Sequence, residues 1–410
     1  MRLPALSSAL AVSAIALVAS LSAAHGQANR NKKPSIMERV QQVPLLLYVA
    51  KGDPDACGKD CSEWIAVEGH FDSGAAARFR AFTKRLGNRK LPVVFHSPGG
   101  DLKNALAIGR MLRKAGATVS TGMTIPRGCS ATEDDACKAI KRSGKPVQAQ
   151  LLAAGGRCNS ACVWALFGGV VRDVPPGAIL GVHAPKHIIT VKRHPGVKVS
   201  RARVEEFAST QRVFSEAETR QYIVAMGVSP DVLTLANSVP HEKLRELTRE
   251  EVIRFGIDRR EFQETRWALV SLQTRGPIAF KHFLENKGVG LKDFRTSYLR
   301  MYCTGGQTIR VDYIRGLTPQ EVGMPAAVSL TFGERALSLQ QSGSTFTEET
   351  QWRSAPFEFA EAAARAEQLT IIEEYKTTAG VRQGIRVVKL RNDGLAGAIE
   401  LLRPSCGTPL

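Results

Sequence analysis

Aromatic side chains make up only 6% of this chain, too few to interleave with basic residues as surfaces that stack single-stranded bases require. Nucleic acid is therefore not an expected partner. Past residue 26 no long uninterrupted apolar run occurs, so no later segment offers the roughly 20 apolar residues that a membrane-crossing helix needs. Internal repeats and low-complexity tracts are absent. Paired C-x-x-C motifs are also missing; the close cysteine spacings are C-x3-C, C-x7-C and C-x3-C, which do not suit a tetrahedral zinc site. Neither a metal nor an organic cofactor is expected. Acidic residues are in deficit, 38 against 56 Lys and Arg, for a net charge of +18. Residues 297–410 carry 12 basic and 12 acidic side chains, so the surplus sits in the N-terminal two-thirds. A solvated basic face explains it; attraction to an anionic membrane surface or an acidic peptide is the sharper alternative.

What is present begins with an export pattern. Residues 1–26 hold one positive charge at Arg2, an apolar stretch from Ala9 to Leu21, and small residues at Ala23, Ala24 and Gly26. This is the layout of a cleavable secretory signal, and it places the mature chain in the periplasm or outside the cell. Eight cysteines in an oxidising compartment read as disulfides. Eight cysteines allow many connectivities; the simplest pairs Cys57/Cys61, Cys129/Cys137 and Cys158/Cys162 locally and joins Cys303 to Cys406 across a C-terminal unit. Four residues apart on a helix, Cβ atoms are about 5–6 Å from each other, whereas a disulfide wants about 3.5–4.5 Å. A Cys158–Cys162 bridge therefore needs a tightened or non-helical turn.

The organisation follows from periodicity. Residues 27–43 are polar and basic, a flexible lead-in. Over 44–258, strands (Trp64–Gly69, Leu91–Phe95, Ala117–Thr121, Ile179–His183) alternate with amphipathic helices (Ala75–Leu86, Leu102–Lys114, Ala161–Phe167, Val204–Met226), the signature of a layered α/β domain. Residues of about 123–152 interrupt it as a surface excursion, either a lid or an inert loop. Thr248 and Glu251 have capping-box spacing. A helical connector is expected over 259–296. Across 297–410, alternation with period two in YLRMYC, TIRVDYI, AAVSLTF, RALSLQQ, IRVVKL and AIELL, broken by a short helix at Phe359–Gln368, predicts a smaller β-rich (α+β) domain.

Taken singly, the suggestive motifs are ordinary: Ser-Pro-Gly-Gly is a turn, and a serine opening a helix is an N-cap. Their order is more specific. A strand, SPGG, a helix, a strand, CNSAC opening an apolar helix, GG, a strand ending in GVH, and a helix ending in EEVIRFGID resemble the ClpP type of serine peptidase. Exported ClpP-like proteins with cysteines flanking the serine are more similar still. The likeness covers Trp64 to Asp258, and the ClpP/crotonase superfamily shares its layered fold. The resemblance implies a serine hydrolase acting on peptide or unfolded protein, with Ser160 as nucleophile and His183 as base. It assigns the oxyanion hole to the backbone N–H groups of Gly99 and Ala161, and a substrate strand to the edge at Ser97, Pro98 and Gly100. Such residues are what the chemistry demands, because a hydroxyl needs a base to take its proton and the tetrahedral oxyanion needs preorganised donors. The family's ATP-driven Clp partner is not expected where ATP is absent, and homo-oligomerisation stays open.

One position departs from the pattern. The family completes a triad with an Asp shortly before the segment that matches TREEV, and Leu244 falls there. Glu242, Glu246 or Asn237 are the neighbouring candidates to orient His183; a Ser/His dyad is a second solution. A catalytically inactive envelope protein that uses the fold for binding or as a scaffold is the alternative reading.

Overall fold

The computed structural model describes residues 43–129, 134–186, 200–272, 276–324, 326–376 and 382–407. The expected signal and all of the lead-in except Val43 lie outside them. Ten strands form the first sheet: β1 (Leu46–Lys51), β2 (Glu63–Phe71), β3 (Val93–Gly100), β4 (Thr118–Thr121), β5 (Met123–Pro126), β6 (Val147–Leu152), β7 (Arg157–Asn159), β8 (Val171–Asp173), β9 (Ile179–Val182) and β10 (Arg245–Glu246). Its main path runs β10-β9-β7-β3-β2-β1-β6-β5, with β4 and β8 branching from β3. Pairing is parallel through β2, β3, β7 and β9. One edge of β3 is shared: Val93–Phe95 pair with β4, and Ser97 pairs with β7. The sheet thus divides at Ser97, just before the two glycines.

Helices α1 (Ala75–Leu86) and α2 (Leu102–Lys114) follow β2 and β3. The α2 face Ala105, Leu106, Ile108, Gly109 and Leu112 is buried, as its spacing predicts. A third helix, α3 (Asp135–Lys141), lies between β5 and β6, and a fourth, α4 (Ala161–Phe167), follows β7. α2 and α4 cross with no room for a side chain: a Cβ on Gly168 would lie 2.1 Å from the Gly109 carbonyl oxygen. Next along the chain come α5 (Arg201–Ala225), α6 (Asp231–Asn237) and α7 (Arg249–Arg254). Tyr222 of α5 donates to the Trp164 carbonyl at 2.7 Å, and α7 carries the expected Thr248/Glu251 capping box. The described residues of the segment 123–152 do not form a loose excursion. β6 pairs with β1 and β5 and extends the sheet, anchored by the buried Lys141 on Glu68 at 2.5 Å.

The connector expected over 259–296 is corrected by the structure. Instead of a helix it contains β11 (Phe262–Glu264), β12 (Ala268–Leu272) and β13 (Gly276–Asn286). Lys281, His282 and Glu285 mask the apolar alternation in the sequence, yet Lys281 is buried against Glu264 at 2.9 Å and the Thr265 carbonyl at 2.6 Å. With β14 (Phe294–Gly305), β15 (Thr308–Gly316), β18 (Gln340–Ser344) and β19 (Glu348–Pro356), these strands form a seven-stranded antiparallel sheet. A four-stranded sheet pairs β16 (Ala326–Phe332) with β17 (Arg335–Ser338) and β20 (Gln368–Lys376) with β21 (Arg382–Arg391), in the order β17-β16-β20-β21. Helix α8 (Phe357–Arg365) matches expectation, whereas AIELL belongs to helix α9 (Leu395–Cys406) and not to a strand. Leu395, Ala398, Ile399, Leu402 and Cys406 are its buried residues, a helical and not an alternating period. The result is an α/β domain and a β-rich domain, each with its own hydrophobic core.

His282 joins the two. Its ring stacks on Tyr298 at 4.3 Å and packs against Gly177, in the turn before β9. Burial, then the charge of Arg300, hold its pKa down at about 4, against the Pro176 carbonyl, which favours protonation. The unfolded chain protonates first, near 6.5, so this contribution to stability is complete above that pH and is lost as pH falls toward 4. At about 1.4 kcal/mol per unit, His282→Phe is expected to abolish roughly 3 kcal/mol of the acid sensitivity in that window. Urea unfolding at several pH values reads it directly; an unchanged slope in the variant refutes the assignment.

Candidate active site

Ser160 occupies the one-residue turn between β7 and α4, at φ 53° and ψ −123°, a left-handed conformation that costs a non-glycine residue about 1–3 kcal/mol. Its N–H donates to the Gly181 carbonyl at 2.7 Å, and its carbonyl accepts from Val163 N–H at 3.0 Å. The turn is also pinned covalently. Cys158 and Cys162 are bridged with Cα atoms 5.2 Å apart. Because Cys158 lies in β7 and only Cys162 in α4, the bridge spans a strand-to-helix turn and escapes the helical spacing conflict. The other three bridges join Cys57–Cys61, Cys129–Cys137 and Cys303–Cys406.

Gly99 faces this turn at φ 103°; a Cβ there would sit 2.6 Å from both the Ser160 Cβ and the Asn159 carbonyl oxygen. Gly100, at φ 137°, has the Phe71 carbonyl oxygen 2.3 Å from where its Cβ would be. Ser97 does not line an open edge as expected. It is buried, donates to the Gly69 carbonyl at 2.6 Å and accepts from Gly99 N–H at 3.1 Å. It braces the turn, and because β7 pairs with β3 only at Ser97, the edge open on that side is Pro98 to Gly100. Among the described residues no acceptor meets Ala161 N–H.

His183 follows β9, two residues beyond the Gly181 carbonyl that holds Ser160. The ring is half-buried, with its centroid 4.7 Å from that of His241. Burial lowers its pKa, the His241 charge lowers it further, and the Ala184 carbonyl and Glu242 work in the opposite direction. The imidazole is therefore neutral at pH 7, the form a base requires. No hydrogen bond joins it to Ser160 among the described residues.

Of the candidate orienters, Asn237 ends α6 exposed, and Glu246 lies on the exposed side of β10, 4.0 Å from Arg157. Glu242 acts on His183 only through its charge. Asp258 is committed elsewhere, to Arg260 at 2.6 Å, Arg249 at 3.4 Å and Val174 N–H at 2.9 Å. Two neighbours escaped the sequence reading, His241 and Asn159. The one available signal for Asn159 is a lone amide inside an otherwise apolar CNSACVWALF run. Among the described residues no group of three His, Cys, Asp or Glu side chains could hold a metal ion.

A groove of about 850 Å³, lined by Glu63, Val93 and Thr118, opens at the starts of β2, β3 and β4. Ser160 lies at the opposite, carboxyl ends of the parallel strands, the usual place for chemistry in an open α/β sheet. No family model matches the sequence, and no curated protein does. Solved structures similar to it include a mutant of the 1510-N membrane-bound stomatin-specific protease, 14% identical, with 46% of this chain and 73% of that one covered at a TM-score of 0.26. A likeness at that score carries no argument. Among the described residues no helix is long and apolar enough to cross a membrane.

Proposed function

We propose that this chain is an exported serine hydrolase of ClpP-like type, a peptidase acting on peptide or unfolded protein. The observation that carries this reading is Ser160, held at positive φ on a disulfide-pinned strand-to-helix turn, its N–H donating to the Gly181 carbonyl two residues before the neutral, half-buried His183. In this reading His183 Nε2 takes the Ser160 hydroxyl proton as Oγ attacks the scissile carbonyl carbon. Ala161 N–H receives the oxyanion, and Gly99 N–H joins it by leaving Ser97 Oγ. The intermediate collapses as His183 returns the proton to the leaving amine, and water then hydrolyses the ester by the reverse path. A peptide backbone adds as a strand along Pro98 to Gly100. The four bridges fit an oxidising compartment, the periplasm or the exterior.

The second reading, a binding or scaffold protein, draws on the Gly99 N–H already bound to Ser97. A fluorophosphonate separates the two. Mass spectrometry of the oxidised protein is expected to show one adduct, mapped to the peptide that contains Ser160. A folded protein that takes no adduct supports the scaffold and ends the hydrolase reading.

A further inference from the structure

We infer that the side-chain amide of Asn159 fixes the His183 imidazole, with Oδ1 accepting the Nδ1 proton where a carboxylate would otherwise stand. The inference rests on the Ser160/His183 reading, and it supplies the group that Leu244 cannot.

A histidine base works only if its proton sits on the nitrogen remote from the nucleophile, and an acceptor at that nitrogen decides the tautomer. His183 Nδ1 is buried and has no hydrogen-bond partner among the described residues. Asn159 is 1% exposed, and both atoms of its amide are buried and unpartnered as well. Two orphaned groups of complementary chemistry are rare in a native interior, where buried polar atoms are paired in roughly nine cases of ten.

Register puts them on one face. Asn159 pairs with Gly181 across β7 and β9, and its Oδ1 lies 2.7 Å from the position a Gly181 Cβ would take. The amide therefore covers the face toward which residue 181 points. Side chains two apart on a strand share a face, so His183 emerges on that same side. Glycine at 181 is what leaves the space. Leu244 packs over the same point, its Cγ also 2.7 Å from that Cβ position, while itself 40% exposed. It shields the amide from water without offering a polar atom. A side-chain rotation at Asn159 or His183 is the step required, and hydrogen bonds of a free enzyme commonly tighten only with substrate.

Two further features agree. The titratable groups acting on His183 are His241 and Glu242, both from the loop before β10; an amide, unlike a buried carboxylate, would leave the ring free to stay neutral. Asn159 also stands between Cys158 and Ser160, so the Cys158–Cys162 bridge holds nucleophile and orienter together. The rival acceptor is the Ala184 carbonyl, which His241 Nδ1 already approaches at 3.1 Å.

The test is ¹⁵N imidazole NMR of the oxidised, ¹⁵N-histidine-enriched protein without fluorophosphonate above pH 7, with His183 assigned through His183→Gln. The expected wild-type tautomer carries the proton on Nδ1. Asn159→Ala should move it toward Nε2 and slow fluorophosphonate labelling about 100-fold or more. Asn159→Asp should restore the Nδ1 tautomer and raise the His183 pKa, shifting the labelling profile to higher pH. A wild-type Nε2 tautomer overturns the inference, and so does an Nδ1 tautomer that survives Asn159→Ala, which would hand the role to Ala184. Because the tautomer is read without turnover, a protein that refuses the probe sinks the hydrolase reading on a separate measurement.

Discussion

Ser160→Ala is expected to take up no fluorophosphonate, and His183→Ala to label roughly 10⁴- to 10⁶-fold more slowly than the wild type, the range seen when one member of a coupled nucleophile–base unit is removed. Neither change should unfold the chain. Ser160 makes its structural hydrogen bonds through its backbone, to Gly181 and Val163, and the Cys158–Cys162 bridge holds the turn whichever side chain is there. His183 has an unpartnered Nδ1 to lose, so truncation breaks no hydrogen bond of that atom. Near-UV circular dichroism should match among the three proteins while adduct rates, followed by intact mass, diverge. His183→Ala that labels at the wild-type rate would show that another group, or none, activates Ser160.

Arg315→Ala is expected to cost about 3–5 kcal/mol of stability, the usual penalty for stripping one partner from a buried ion pair. Arg315 is 0% exposed, between the two sheets of the β-rich domain, 3.1 Å from Glu349 on β19 and 3.1 Å from Glu373 on β20. Tyr313 Oη donates to Glu373 at 2.6 Å, and Arg386 reaches the same carboxylate at 2.6 Å. Alanine would leave Glu349 short of its main cation. Arg315→Met with Glu349→Leu and Glu373→Gln should recover much of the loss, since both carboxylates go with the guanidinium and Arg386 keeps its second partner Glu285, so no charge is orphaned. Guanidinium unfolding with Cys303–Cys406 oxidised measures both. A single variant within about 0.5 kcal/mol of wild type would mean that water reaches the network.

These two sites mark what the sequence discloses and what it withholds. Local rules were readable: the α2 face at Ala105, Leu106, Ile108 and Leu112, and the Thr248/Glu251 capping box, come from neighbours a few residues apart. Disulfide partners adjacent in sequence were readable for the same reason. Most strands were readable from their apolar patterns; β11–β13 and β6 were not. Lys281 disguised β13 because its partner Glu264 lies in another strand, and β6 was hidden in a segment that looked polar. At the candidate site, CNSAC and GVH singled out Ser160 and His183 as the proposed pair. The bracing role of Ser97 depends on the Gly69 carbonyl, and Asn159 gains meaning only from Gly181 across the sheet. Contacts between strands distant in sequence leave no local trace.

The four bridges join each cysteine to the next one along the chain, at separations of 4, 8, 4 and 103 residues. For a polypeptide threaded N-terminus first into an oxidising space, that connectivity has a consequence for assembly. An oxidase that couples each thiol to the next to emerge produces the native pattern without any shuffling of wrong pairs. Cys303 waits longest, but every earlier cysteine is already paired when it appears, so Cys406 is the partner that remains. Oxidation in order of arrival is enough.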